Sequence, residues 1–192
     1  MARRSENVDD TRLKIVEATV ELHSTLGPAA TTVMGIADKA GVTRATVYRH
    51  FPDELSLFDA CSMHWLGQQV QPNPDVWAQI ANAEDRLHAG LADLYRFYRN
   101  GESMLTLIYR DLEYLPAKHQ LELQEKDDYC REVLLATFPK RTRTEYHLRA
   151  VVGHAVSFGT WRSLCINNQL SNKAAVDVMV DLTMNTARRN GN

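Results

Sequence analysis

The 192-residue chain lacks several things, and each lack removes a class of protein. It has three cysteines, Cys61, Cys130 and Cys165, an odd number with no CxxC pair. Neither a disulfide framework nor a zinc knuckle follows from that, and buried reduced thiols in a cytosolic protein are expected. No apolar run approaches the roughly 20 residues of a membrane span. Residues Met1 to Asp10 are polar and carry no apolar signal region. Both features predict a cytoplasmic protein with no membrane partner. Positive charge is not in excess either: 22 Lys and Arg stand against 24 Asp and Glu, a formal net charge of -2. The molecule is not a basic nucleic-acid coat, so any DNA-reading surface must concentrate its positive charge locally.

Catalytic signatures are missing as well. There is no HExxH, no GxSxG, no GxxxxGK and no paired Glu-x-x-His of a di-iron bundle. His119 and Glu122, or His147 and His154, can share a helix face, but the expectation is no catalytic residue, no metal and no cofactor. Asp127-Asp128 reads as a solvated helix face. A helical module that binds protein rather than DNA is the other alternative, and salt-dependent DNA binding separates it from a DNA reader.

What is present is an ordinary globular composition, 44% hydrophobic and 24% charged, enough for one large or two small domains with a real core. Period-two alternation, internal repeats and low-complexity tracts are all absent, whereas helical periodicity recurs throughout. The fold class is all-α, with about nine helices. Asp9 or Asp10 caps the first, whose Ile15, Thr19, Leu22 and Leu26 follow i, i+4, i+7, i+11, and Gly27-Pro28 stops it. Thr31 or Thr32 caps a second, Val33 to Ala40, ended by Gly41. Thr43 caps a third, to about His50. Phe51-Pro52 breaks the chain, and Asp53 caps a fourth running past Trp65. A linker at Gln71 to Asp75 follows. Further helices are read from about Asn82 to Arg99, Glu102 to Tyr114, Ala117 to Thr137, Thr142 or Thr144 to Asn167, and Ser171 to Arg188.

The informative stretch is Thr32 to Pro52, TVMGIADKAGVTRATVYRHFP. Two short helices and a turn make a helix-turn-helix. Ala37 is small enough for the helices to cross closely. Gly41 suits the left-handed turn position. Val47, ten residues after Ala37, closes a small core with Ile36 and Val42, and Phe51 belongs to the core as well. From Leu13 to Leu57 the chain resembles the DNA-binding domain of the TetR family of regulators. The resemblance rests on Gly27, Thr31-Thr32-Val33, Ile36-Ala37, Ala40-Gly41-Val42-Thr43 and Thr46-Val47-Tyr48-Arg49-His50-Phe51-Pro52.

That resemblance implies a three-helix helix-turn-helix DNA-binding domain over residues 1–52. A helical ligand-binding and dimerisation domain would occupy 53–192. It implies a transcriptional regulator, a repressor, that binds a palindromic double-stranded DNA operator as a homodimer and is released by a small, mostly apolar or aromatic effector. The helix after Thr43 would enter the major groove. Arg44 is the candidate for reading guanine, Ala45 for close approach and a thymine methyl, and Thr46 for a base or phosphate. Tyr48 and His50 are expected on phosphates. Thr32 and Thr43, with the free N–H groups of their helices, are expected there too. Lys39, Arg49 and an Arg3-Arg4 arm add positive charge. Two positions depart from the family. Glu54 stands where a phosphate-touching Lys is usual; it would repel DNA while favouring its own helix start. Gly35 replaces an often polar residue and weakens the second helix slightly.

The family dimerises through its last two helices. Gly153, Ala155 and Gly159 allow close approach on one of them. The last is apolar over a wide arc, Ala174, Val176, Val178, Met179, Val180, Leu182 and Met184, enough for its own core and a second subunit. The candidate effector-lining residues are Trp65, Leu91, Tyr95, Tyr98, Met104, Ile108, Tyr129, Val133, His154, Phe158 and Trp161.

Overall fold

The computed structural model describes residues 2–143 and 145–189, with side chains from residue 9 onward except 143. Every regular element among them is helical. Twelve α-helices run in order: α1 Ala2–Thr25, α2 Val33–Ala40, α3 Arg44–His50, α4 Glu54–Gly67, α5 Pro74–Ala78, α6 Ala83–Asn100, α7 Glu102–Arg110, α8 Ala117–Leu135, α9 Lys140–Arg143, α10 Tyr146–Val156, α11 Phe158–Arg162 and α12 Asn172–Arg189. Single 3-10 turns occur at Pro28–Ala30 and Leu112–Tyr114, and a π turn at Ser163–Asn167. No described helix is long and apolar enough to cross a membrane.

The expected caps that survive do so for the expected reason: a side-chain oxygen receives an orphan N–H of the first turn. Thr32, not Thr31, caps α2 by accepting from Gly35 N at 3.0 Å. Thr43 caps α3 through Thr46 N at 3.1 Å, and Asp53 caps α4 through Ser56 N at 2.7 Å. Gly41 sits at φ 67° and Gly27 at φ 93°, the left-handed region where a side chain is strained.

Several boundaries differ from the sequence reading. Helix α1 begins at Ala2 and passes through Asp9 and Asp10, because nothing in residues 2–8 breaks a helix. The backbone of Arg3 and Arg4 therefore belongs to α1, and their side chains lie outside the described residues. The linker at Gln71 to Asp75 contains the start of a helix, α5. Asn73 caps it, and Pro74 at the first position has no N–H to satisfy. The single helix expected from Thr142 or Thr144 to Asn167 is divided. Ser157 adopts ψ 136°, and its hydroxyl caps α11 by accepting from Gly159 N at 3.1 Å. Thr144 lies outside the described residues.

The chain packs as two compact units, Met1–Val70 with Gly101–Gln120, and Gln71–Asn100 with Leu121–Asn192. In the first, Ile15 and Val16 of α1, Ile36 and Ala37 of α2, Val47 and Phe51 of the α3 segment, and Leu57 and Cys61 of α4 form one buried cluster. Each large aliphatic or aromatic side chain in it contributes on the order of 1.5–3 kcal/mol. His23 is also buried here. Burial pushes its imidazole down to about 4, against a smaller raising effect of Asp111.

In the second unit α6 packs against α12, α10 and α11. Trp77 of α5 lies against Gly90, whose missing Cβ would fall 3.1 Å from the indole, and its Nε1 donates to Asp93 at 3.0 Å. Buried Arg86 donates to three carbonyls, Ile80 and Ala78 beyond and within α5 and Val133 near the end of α8, at 2.8, 2.8 and 2.9 Å. A guanidinium is the one side chain whose rigid fork can satisfy three such acceptors at once.

Arg86→Met leaves the three carbonyls without their donor and is expected to lower stability by about 3 kcal/mol, read from urea midpoints; an unchanged midpoint would contradict the assignment. His23 is neutral in the fold, while the unfolded chain takes up its proton near pH 6.5. It therefore contributes no penalty above pH 6.5, and stability is lost as pH falls from 6.5 towards 4, by up to about 3 kcal/mol. His23→Phe should flatten that decline. Parallel losses in the two proteins would show that the imidazole titrates freely.

Candidate nucleic-acid interface

Helix α3 owes its placement to Val47 and Phe51. Val47 is 1% exposed and Phe51 2%, and these two side chains fix which face of the helix turns inward. The opposite face carries Arg44, Ala45, Tyr48 and Arg49, all exposed, with Thr46 and His50 half-buried beside them. The expected α3 residues are thus brought onto one outward surface.

Their arrangement is more organised than spacing alone suggests. The Arg44 guanidinium lies 5.4 Å from the Tyr48 ring centroid, and its Nη2 donates to the Tyr48 hydroxyl at 3.2 Å. The two residues are i and i+4, neighbours on a helix. Stacking plus a hydrogen bond holds the guanidinium in one direction before anything binds to it. Thr43 and Thr46 hydroxyls are 2.9 Å apart. On α2, Thr32 uses its oxygen as an acceptor for the cap, which leaves the hydroxyl proton to donate outward.

Lys39 is placed differently. It is exposed on α2, but its ammonium is in an ion pair with Glu21 of α1. Part of its charge is therefore spent inside the fold. Arg12 is a residue that the sequence reading missed. It projects from α1 across the end of α3, with its guanidinium 4.2 Å from the Phe51 ring and Nη1 donating to the His50 carbonyl at 3.3 Å. A cation at the carboxyl end of a helix complements its dipole. The contact joins residues 38 apart, so no local pattern announces it. His50 has its pKa lowered, first by burial and then by Arg49 and Arg12, so this end of α3 favours the neutral imidazole. Glu54 is exposed at the first position of α4.

The candidate effector-lining residues fall in both units. Trp65, half-buried, and Met104 and Ile108 belong to the first. The other eight belong to the second. There Tyr98 meets Phe158 edge-on at 5.4 Å and Trp161 at 6.0 Å. The hydroxyl groups of Tyr95 and Tyr98 donate to the carbonyls of Ala155 and Val156 at 2.9 and 2.7 Å. Trp161 Nε1 donates to Asn172, which in turn donates to the Tyr95 carbonyl. Leu91 is fully buried and Val133 partly, whereas Tyr129 and His154 lie at the surface. Among the described residues, no group of three His, Cys, Asp or Glu is arranged to hold a metal ion.

Comparison with known proteins agrees with this geometry. Residues 15–61 match the family model described as bacterial regulatory proteins, tetR family. The chain is 39% identical over 139 residues to the uncharacterized HTH-type transcriptional regulator TtgW of Pseudomonas putida, covering 69% of this chain and 99% of that one. It is 35% identical over 88 residues to the probable HTH-type transcriptional regulator ArpR of Pseudomonas putida, covering 45% of this chain and 40% of ArpR. The matches to the first curated relatives thus span only about two fifths of their length. Among solved structures, a TetR-like transcriptional regulator from Rhodococcus sp. RHA1 superposes with a TM-score of 0.65 at 17% identity, over 91% of this chain and 93% of the other. That likeness is one of fold.

Proposed function

Since the chain belongs to the tetR family of bacterial regulatory proteins, we propose that it is a ligand-responsive, cytoplasmic transcriptional repressor. It binds a palindromic operator as a homodimer and is released by a small, mostly apolar effector. Residues 1–52 read DNA, and residues 53–192 sense the effector and dimerise. The observation that carries this reading is the outward face of α3. There Arg44 is held pointing away from the core by Tyr48, beside Ala45, Thr46 and Arg49. A helix of this kind fits the major groove, and a preset guanidinium suits the paired O6 and N7 acceptors of guanine.

Dimerisation is supported by α12. Its Ala175, Val176, Met179 and Val180 are buried in their own unit, yet Val178 and Leu182, one turn apart, remain exposed at 47% and 46%. One apolar face is used at home and a second is presented outward, which suits a second copy of the chain. Two linked reading heads bind far more tightly than one. Effector binding releases the operator if the effector prefers the arrangement of subunits that no longer matches the half-site spacing.

The test is selection of the purified protein against a random duplex library, followed by salt-titrated binding of the winner. A palindromic site with a steep salt dependence is expected; the absence of any enriched site would remove the reading. Arg44→Ala should weaken the selected site by about 1–3 kcal/mol and relax base choice at one position. Because Tyr48 orients Arg44, Tyr48→Phe should relax the same position in addition to weakening all sequences. Base choice left intact in both variants would refute the assignment. Val178→Glu with Leu182→Glu should yield monomers in sedimentation and lower operator affinity at least about tenfold; a persistent dimer would place the interface elsewhere.

A further inference from the structure

Among the described residues, one buried side-chain polar atom has no hydrogen-bonding partner: Nδ1 of His119. The residue is 6% exposed and lies in the first turn of α8. Its other ring nitrogen, Nε2, is 3.2 Å from Oδ1 of Asp59 on α4, and the same oxygen accepts from Lys118 Nζ at 2.8 Å. The His119 ring meets Phe58 edge-on at 4.5 Å, and Phe58 lies 5.3 Å from the His23 ring on α1. All five residues belong to the first compact unit.

A carboxylate at Nε2 selects the tautomer that carries its proton there, so in the neutral ring Nδ1 presents a lone pair. The surroundings are hostile to a further charge. Asp59 already faces an ammonium, and burial keeps His23 neutral with its pKa down to about 4. A partner for Nδ1 must therefore be neutral, must donate, and must sit among aromatic rings.

Resting on the effector-responsive reading above, we propose that His119 Nδ1 is the polar anchor of the effector site, and that the effector carries a neutral O–H or N–H donor on an aromatic-sized apolar frame, as a phenol does. The position also supplies the coupling. Nδ1 is enclosed, so a donor reaches it only by parting the packing around the ring. The ring lies against Asp59 and edge-on to Phe58, both on α4, and Phe58 reaches His23 on α1. Occupancy at His119 thus acts on α1 and α4, the helices whose Ile15, Val16, Leu57 and Cys61 share a core with the helix-turn-helix. An effector that pays this displacement in one arrangement and not in another has the differential affinity that regulation needs.

The experiment uses the full chain labelled with 15N-histidine, whose imidazole nitrogens are observed separately, titrated with phenol and with anisole, the same frame without the donor. His119 is assigned in the wild-type chain itself, by 13C,15N double labelling of histidine that links its ring to its own backbone signals. The expected result is a saturable shift of His119 Nδ1 with phenol and none with anisole, together with at least tenfold weaker phenol binding by His119→Phe. Equal responses to the two compounds, an unmoved His119, or an Nδ1 already hydrogen-bonded before any addition would overturn the proposal, and these wild-type spectra decide it even if the variant does not fold. Operator affinity is measured separately with the same compounds. Phenol seated on His119 without any change in operator affinity upholds the site and refutes its role as an effector site. Release of the operator by some other compound, with His119 unmoved, does the reverse.

Discussion

The turn between α1 and α2 passes a point where a side chain has no space. A Cβ on Gly27 would lie 2.3 Å from both Arg110 Nη2 and Asp111 Oδ2, and the residue also needs a φ of 93°. Through that gap Arg110 donates to the Leu26 carbonyl at 2.8 Å, and Asp111 accepts from Ala29 N at 3.1 Å. Arg110 and Asp111 bond each other as well, and the hydrogen bonds from Arg110 are the first reason that the Asp111 carboxyl is held below the usual carboxylate range. A buried carboxylate is tolerated because its oxygens are occupied. The consequence is geometric: the end of α7 is fastened to the end of α1, and α1 is the helix on which α2 and α4 pack.

The outward face of α3, proposed to read DNA, rests on the same helix α1. The α1 stripe positions Ile36 and Ala37, Gly41 turns the chain, and Val47 and Phe51 seat α3 with its polar side outward. Arg12 closes the carboxyl end of α3, and Tyr48 aligns Arg44. The face that α3 presents is thus set by the shared core, and the direction of one guanidinium by its neighbour one turn along. Separately, the second unit satisfies several of its polar side chains internally. Arg86 gathers three carbonyls, and the Tyr95 and Tyr98 hydroxyls bind the end of α10.

Much of this architecture was legible in the residues. The helix-turn-helix, its caps at Thr32, Thr43 and Asp53, the glycine turns and the core role of Phe51 all come from short-range patterns, and the α3 residues proposed for DNA share one surface as spacing requires. The candidates for effector lining were less legible. Tyr95, Tyr98, Phe158 and Trp161 gather into one cluster, yet Tyr129 and His154 lie on the surface, because aromatic or histidine character does not say which face of a helix turns inward. The division at Ser157 was also hidden: a serine hydroxyl competing for a nearby N–H looks like any other serine until the backbone turns.

Local chemistry therefore determined the all-helical class, the order of the N-terminal elements and the outward set on α3. Period, cap and turn act over three or four residues, within reach of a sequence pattern. Contacts that span long separations come instead from the assembled fold. These include Arg12 at His50, Lys39 in its ion pair with Glu21, Asp111 at Ala29 and His119 at Asp59. Such pairings arise from how packed segments bring distant polar groups, side chain or backbone, within about 3 Å of each other. No repeat or spacing in the chain records that meeting before the core is assembled.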